Sequence, residues 1–256
     1  MNATISLGEA LSRFGAADSP EGGLRLPLRE RKFARVRLAI LSAVVQLTKE
    51  RALADISVRE ICDVAQVAPA TFFNYFPSKE SVLVYYMRLW SIPVTLLCRS
   101  MATQQSALDA VMSVFDSAAC EMEQNARLMF EMIAYIAHAQ EPPQPPSVSR
   151  AERLLAFPDL PGAEEVEPLF LDELFTELLQ QALRAGELAP SISIAATALL
   201  LKTIFYGVPL ATRRQEGEWI IHRAYREVLE ILLAGLKQQE TSNSDGKETA
   251  HHTAIS

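Results

Sequence analysis

Only three cysteines, Cys62, Cys98 and Cys120, occur in the 256 residues, and they are scattered. That excludes a disulfide framework and a cysteine metal site, and leaves three reduced, partly buried thiols. There is no run of about 18 uninterrupted apolar residues, so a membrane-spanning helix is not expected. The first residues lack the basic start and apolar core of a secretory signal, which points to the cytoplasm. Glycine-rich phosphate loops, HExxH pairs, nucleophile elbows and carboxylates clustered about a histidine are all missing. An enzyme is therefore not expected, and neither a metal nor a cofactor is implied. His138 and His222 stand singly on helical stretches, and His251 and His252 in the polar tail are too few for a metal site. The net charge of −7, with a pI near 5.2, argues against a generally basic surface.

What is present is a globular, helix-leaning composition, 49% hydrophobic with a mean hydropathy of +0.10. Its charge is unevenly spread. Residues 25–37 carry Arg25, Arg29, Arg31, Lys32, Arg35 and Arg37 against the single acid Glu30, whereas residues 91–256 hold 12 basic and 22 acidic side chains. Screening limits the reach of those distant acids to about 10 Å at moderate salt, so a polyanion meets the local excess.

That excess sits just before the most informative stretch, SVREICDVAQVAPATFFNYFPSK, from Ser57 to Lys79. Ser57 and Glu60 have capping-box spacing, so a helix begins there. Pro69 suits the first position of a second short helix, Pro69–Phe76, and Pro77 ends it by disfavouring helical geometry at Phe76. Two short helices joined by a tight turn form a helix-turn-helix, the second of a size to enter a DNA major groove. Four aromatics in five positions cannot all face inward. Phe72 and Phe76, four apart, are assigned to the core, and Thr71, Phe73, Asn74 and Tyr75 to the open side.

Elsewhere the periodicity is helical throughout. Residues 1–24 read as a disordered extension in which Leu7, Leu11 and Phe14 offer a turn or two before Pro20, Gly22 and Gly23. A helix over Arg29–Glu50 has Phe33, Val36, Ile40, Val44 and Leu47 on one stripe. Ser78 offers an N-cap for a helix from Lys79 to about Ser100 that Pro93 bends, and Lys79 stands where a phosphate meets free N–H groups. Further helices are expected over Leu108–Met122, Leu128–His138, Ser149–Ala156, Pro168–Ala185, Ile192–Ala211 and Glu218–Leu236, with an extended EPPQPP connector after Leu128–His138. Ile192–Ala211 is apolar nearly all round and must be enclosed, for which a second copy of the chain is a natural source.

The order Thr71, two aromatics, Asn74, Tyr75, Phe76, then Ser78, Lys79 and Glu80, preceded by an amphipathic helix, resembles the TetR-type transcriptional regulators over residues 31–88. The resemblance implies an all-α homodimer. An N-terminal helix-turn-helix DNA-binding domain (25–78) would be followed by a C-terminal helical ligand-binding and dimerisation domain (79–237) and a disordered tail (238–256). It implies phosphate contacts from Ser57, Arg59, Tyr75, Lys79 and the Arg31 to Arg35 region, and base contacts from Ala68, Pro69, Ala70, Thr71, Phe73 and Asn74. Double-stranded operator DNA and an unidentified small-molecule effector are the implied partners. Tyr86, Trp90, Phe115, Phe130, Tyr135 and Phe175 are the candidates to line its pocket. The chain departs from the family pattern at Gln66 (for a turn glycine), Ala68 (for a hydroxyl residue), Ala70 (for glycine) and Phe73 (for tyrosine). Readout is thereby shifted from hydroxyl chemistry to apolar contact. The expected function is a ligand-responsive regulator, a repressor released from a palindromic operator; a helical adaptor binding a protein partner through Ser57–Phe76 is the alternative.

Overall fold

The computed structural model describes Leu7, Leu11 and residues 26–139, 146–213 and 220–248, with residues 237–248 by their backbone only. The rest of the 1–24 extension, Arg25, residues 141–145 of EPPQPP, Trp219, and residues 249–256 of the tail, with His251 and His252, lie outside the described residues. Among the described residues there is no strand.

Helix α1 spans Leu28–Thr48 and buries Ala34, Leu38, Ile40, Leu41, Val44 and Val45. Its buried face is rotated from the expected stripe, leaving Phe33 41% exposed, because α1 packs against two other helices, Val58–Ala65 and Arg150–Ala156. A 3-10 turn at Leu53–Asp55 leads to α2, Val58–Ala65. The Ser57 Oγ accepts the Glu60 N–H at 3.2 Å, and the Glu60 carboxylate accepts the Ser57 N–H at 2.8 Å. Helix α3 is Pro69–Tyr75, opened by Pro69 and ended by extended backbone at Phe76, before Pro77.

Helix α4 runs Ser81–Gln104, two residues later than expected, with the Ser78 Oγ accepting the Ser81 N–H at 3.3 Å. The two helices expected after it follow one another within α5, Ala107–His138, and are divided as expected between Met122 and Leu128 by a kink at Asn125, whose φ of −134° and ψ of 40° are not helical. Helix α6, Arg150–Ala156, has its own capping box from Ser149 and Glu152. Helix α7, Leu171–Arg184, ends where Gly186 takes a φ of +73°, with Gly186 and Glu187 N–H groups donating back to Leu183 and Ala182 carbonyls. Then come α8, Ile194–Thr212, and α9, Ile220–Glu248, which continues past the expected end at Leu236.

The chain forms two compact units, residues 1–96 with 117–170, and residues 97–116 with 171–256. Their division does not follow the boundary expected at residue 78, because α6 packs on α1 and the Glu131 carboxylate accepts the Leu53 N–H at 3.1 Å. Leu7 and Leu11, inside the stretch expected to be disordered, are helical and fully buried in the first unit.

The second unit has an aromatic centre. Phe115 meets Phe175, Phe205 and Tyr225 at ring distances of 5.6, 5.8 and 5.1 Å, and the Tyr225 hydroxyl donates to the Phe205 carbonyl at 2.7 Å. At the start of α5 the Glu187 carboxylate accepts from Ser106 Oγ and from the Ala107 and Leu108 N–H groups, placing an anion at a helix N-terminus. Helices α4 and α8 both have the length and hydropathy of a membrane span. Most of α4 is core, but α8, packed on α7 and α9, leaves Leu199 61%, Leu200 44% and Leu210 52% exposed.

Candidate nucleic-acid interface and a buried polar centre

The turn between α2 and α3 depends on Gln66, the one described non-glycine residue with positive φ (55°). From it α3 leaves with Phe72 and Phe76 buried, 5.9 Å apart between rings, and Ala68, Pro69, Ala70, Phe73 and Asn74 exposed. Thr71 and Tyr75 are half-buried, and Tyr75 leans on Phe33 of α1 at 4.9 Å. A helix too short to hold itself is thus anchored through two rings four residues apart, which leaves its opposite face open. Arg29, Arg31, Lys32 and Arg35 are exposed over the first turns of α1, and Ser57 and Arg59 are exposed at the start of α2. Glu60, bonded by the Ser57 N–H and hydroxyl and by Arg51 at 2.8 Å, has its carboxyl held down at about 2.

Two residues counted toward charge or phosphate are engaged elsewhere. Lys79 Nζ donates to the carbonyls of Leu53, Ala54 and Ile56 at 2.6, 3.0 and 3.0 Å. Three donors on three carbonyls use the whole ammonium group, so Lys79 ties down the turn before α2 in place of the phosphate contact expected of it. Arg37, counted in the basic cluster, is buried. Its guanidinium donates to the Ser147 carbonyl at 2.8 Å, pairs with Glu152 at 2.9 Å and lies 4.1 Å from the Tyr85 ring centre. Tyr85 donates to the same carboxylate at 2.6 Å. The helix over Ser149–Ala156 was legible in the sequence, but the long-range partner of Glu152 was not.

The pocket candidates fall into separate places. Phe115 and Phe175 belong to the aromatic centre of the second unit. Tyr86 and Trp90 are buried on α4 in the first unit, which also contains Phe130 and Tyr135, both half-buried on α5. Tyr86 donates to Glu121, a fully buried carboxylate that also accepts the Asn125 side-chain amide at 2.6 Å and the Leu7 N–H at 3.1 Å. Neither Glu121 nor Asn125 had been singled out. The only signal was an acid and an amide four apart within an apolar helical stretch. Among the described residues no cluster of histidine, cysteine and carboxylate suits a metal ion. Burial pushes the Cys98 thiol up to about 12, with Glu177 adding to it, so it is inert.

A helix-turn-helix head with an open recognition face, continued by an all-helical body, defines the class of this protein. Residues 40–86 match the family model of bacterial regulatory proteins of the tetR family. Over 47 residues the chain is 49% identical to the HTH-type transcriptional regulator EthR of Mycobacterium tuberculosis and of Mycobacterium bovis, a match covering 18% of this chain and 22% of those proteins. In fold it is similar to Thermus thermophilus FadR, a TetR-family repressor in complex with lauroyl-CoA, at a TM-score of 0.57, 21% identity, and coverage of 78% of this chain and 94% of that one. It is also similar to Bacillus subtilis FadR in complex with stearoyl-CoA, at 0.54, 15%, 77% and 98%. The helix-turn-helix head thus matches the TetR-type regulators, over about a fifth of the length of the curated relatives.

Proposed function

We propose that this chain is a ligand-responsive DNA-binding regulator, a repressor that leaves a palindromic operator when a small molecule binds its helical body. The observation that carries the reading is the recognition helix itself. Phe72 and Phe76 anchor α3 while Ala68, Pro69, Ala70, Phe73 and Asn74 stay open beside the exposed Arg31, Arg35, Ser57 and Arg59. In this reading Thr71 and Asn74 contact bases, Ala68, Ala70 and Phe73 contact thymine methyl groups, and the exposed arginines with Ser57 and Tyr75 hold phosphates.

The exposed leucines of α8, with Val228 and Ile231 of α9 (75% exposed), support a homodimer through these two helices. A two-fold dimer then sets two α3 helices in successive major grooves about 34 to 36 Å apart, or a multiple of that. The lauroyl-CoA and stearoyl-CoA of the FadR structures, reached here through fold alone, support an effector of some kind and not an acyl-CoA in particular. The effector acts by preferring one head spacing over another.

Selection from a random pool of duplexes supplies the operator and tests the reading. Retention of a palindromic site, lost for Asn74→Ala far more on that site than on unrelated DNA, is the expected result. Arg31→Ala should lower the slope of log affinity against log salt by about one, whereas Lys79→Ala should leave it unchanged. Salt-insensitive binding to a protein, with no duplex retained, would establish the adaptor instead.

A further inference from the structure

We infer that Glu131 is a positioning residue for DNA recognition: its carboxylate caps the turn that leads into the helix-turn-helix, and so fixes how α2 and α3 stand on the rest of the first unit. The inference deepens the DNA-binding reading above and rests on it. The turn at Leu53–Asp55 is only three residues long and cannot hold itself. Ala52, the residue ahead of it, has no side-chain oxygen for the N–H groups that open such a turn, and no cap of that kind is present. Glu131 supplies the missing acceptor from 78 positions away on α5, taking the Leu53 N–H at 3.1 Å.

Lys79 grips the same turn from its other end. Its ammonium donates to the carbonyls of Leu53, Ala54 and Ile56. Leu53 therefore has its N–H held by α5 and its carbonyl held from the residue two before α4. Both holds are charge-assisted, and such bonds are about twice as strong as neutral ones.

What this clamp holds is the approach to the recognition face. One residue past Ile56, Ser57 forms the capping box of α2 with Glu60, which is also paired with Arg51 ahead of the turn at 2.8 Å. Helix α2 then passes into α3 through the left-handed residue Gln66. From Leu53 to Tyr75 each segment is fixed to the next by local contacts, so a shift of the turn against α5 carries α2 and α3 with it. Glu131 is no DNA contact in this reading; it acts through Leu53. A palindromic site needs two recognition helices at one separation, which makes it more sensitive to such a shift than a single half-site is.

The full-length protein, the palindromic duplex obtained by selection, and a duplex carrying one of its half-sites provide the test. Glu131 is half-exposed within α5, where alanine is well tolerated. Glu131→Ala should weaken binding to the palindrome about tenfold, on the scale of a lost hydrogen bond to a carboxylate, and leave the half-site affinity unchanged. Hydrogen exchange at the Leu53 amide, followed without DNA, should quicken about tenfold in the same variant. Glu131→Gln keeps an oxygen acceptor at that position and should restore most of both. General damage to the head would lower the two affinities together, and that result overturns the proposal. So does exchange at Leu53 that Glu131→Ala leaves unchanged, or a Glu131→Gln variant no better than Glu131→Ala. No duplex retained by the unmodified protein sinks the DNA-binding reading and this inference with it. A palindrome bound equally by the parent and by Glu131→Ala sinks this inference alone.

Discussion

Tyr85 and Tyr86 are neighbours on α4, both are fully buried, and each donates to a fully buried carboxylate. Burial raises both phenols well above the usual range, and the Glu152 and Glu121 charges raise them further, so both remain donors. Yet the two centres differ in what completes them. Glu152 is paired with Arg37, which binds the head helix α1 to α6 and lies against the Tyr85 and Phe76 rings. Glu121 accepts from an amide, that of Asn125, and from the Leu7 backbone N–H. The same burial serves an ion pair in one place and neutral donors in the other. A guanidinium inside an ion pair cannot leave without stranding a charge, whereas one N–H can be traded for another.

The largest effect expected follows from that stranded charge. Arg37→Met should cost about 3 to 5 kcal/mol in urea unfolding, while the double variant with Glu152→Leu should recover most of it. A double variant no better than the single one would refute the view of the pair as a joint. Next, Tyr86→Phe should cost about 2 kcal/mol, as loss of a hydrogen bond to a carboxylate does. Tyr85→Phe should cost about half as much, because Arg37 still serves Glu152. Equal losses at the two tyrosines would erase the contrast.

Of similar size but opposite sign, Gln66→Gly should stabilise the protein by about 1 kcal/mol by relieving a left-handed residue, and should add independently to either tyrosine change. The smallest effect is a reference from an exposed acid. Glu60 is held at about 2 against an ordinary 4.5, so its contribution is present above pH 4.5 and fades as pH falls toward 2. Glu60→Gln, which keeps the capping geometry, should flatten that part of the stability curve. An unchanged acid limb would mean that the capping box is not formed in solution.

Much of the head was legible because its rules are local. The Ser57–Glu60 box, Pro69 at a helix start, the stop before Pro77 and the burial of Phe72 and Phe76 with Phe73 outside all follow from spacings of three or four residues. The Ser149–Glu152 box and the Gly186 stop are of the same kind. The helical class followed from periodicity, as did the division of α5 near Asn125, although α9 ran further than its apolar pattern.

By itself, then, the chain determined where helices start and stop and which face of α3 is open, because backbone geometry and neighbouring side chains decide those matters. Tertiary structure alone decided what the charges do. Arg37 left the basic cluster for Glu152, Lys79 turned to three carbonyls of the preceding turn, and Glu121 took a donor 114 residues away. A buried charge must find partners wherever the packing brings them. No spacing along the chain encodes which ones arrive.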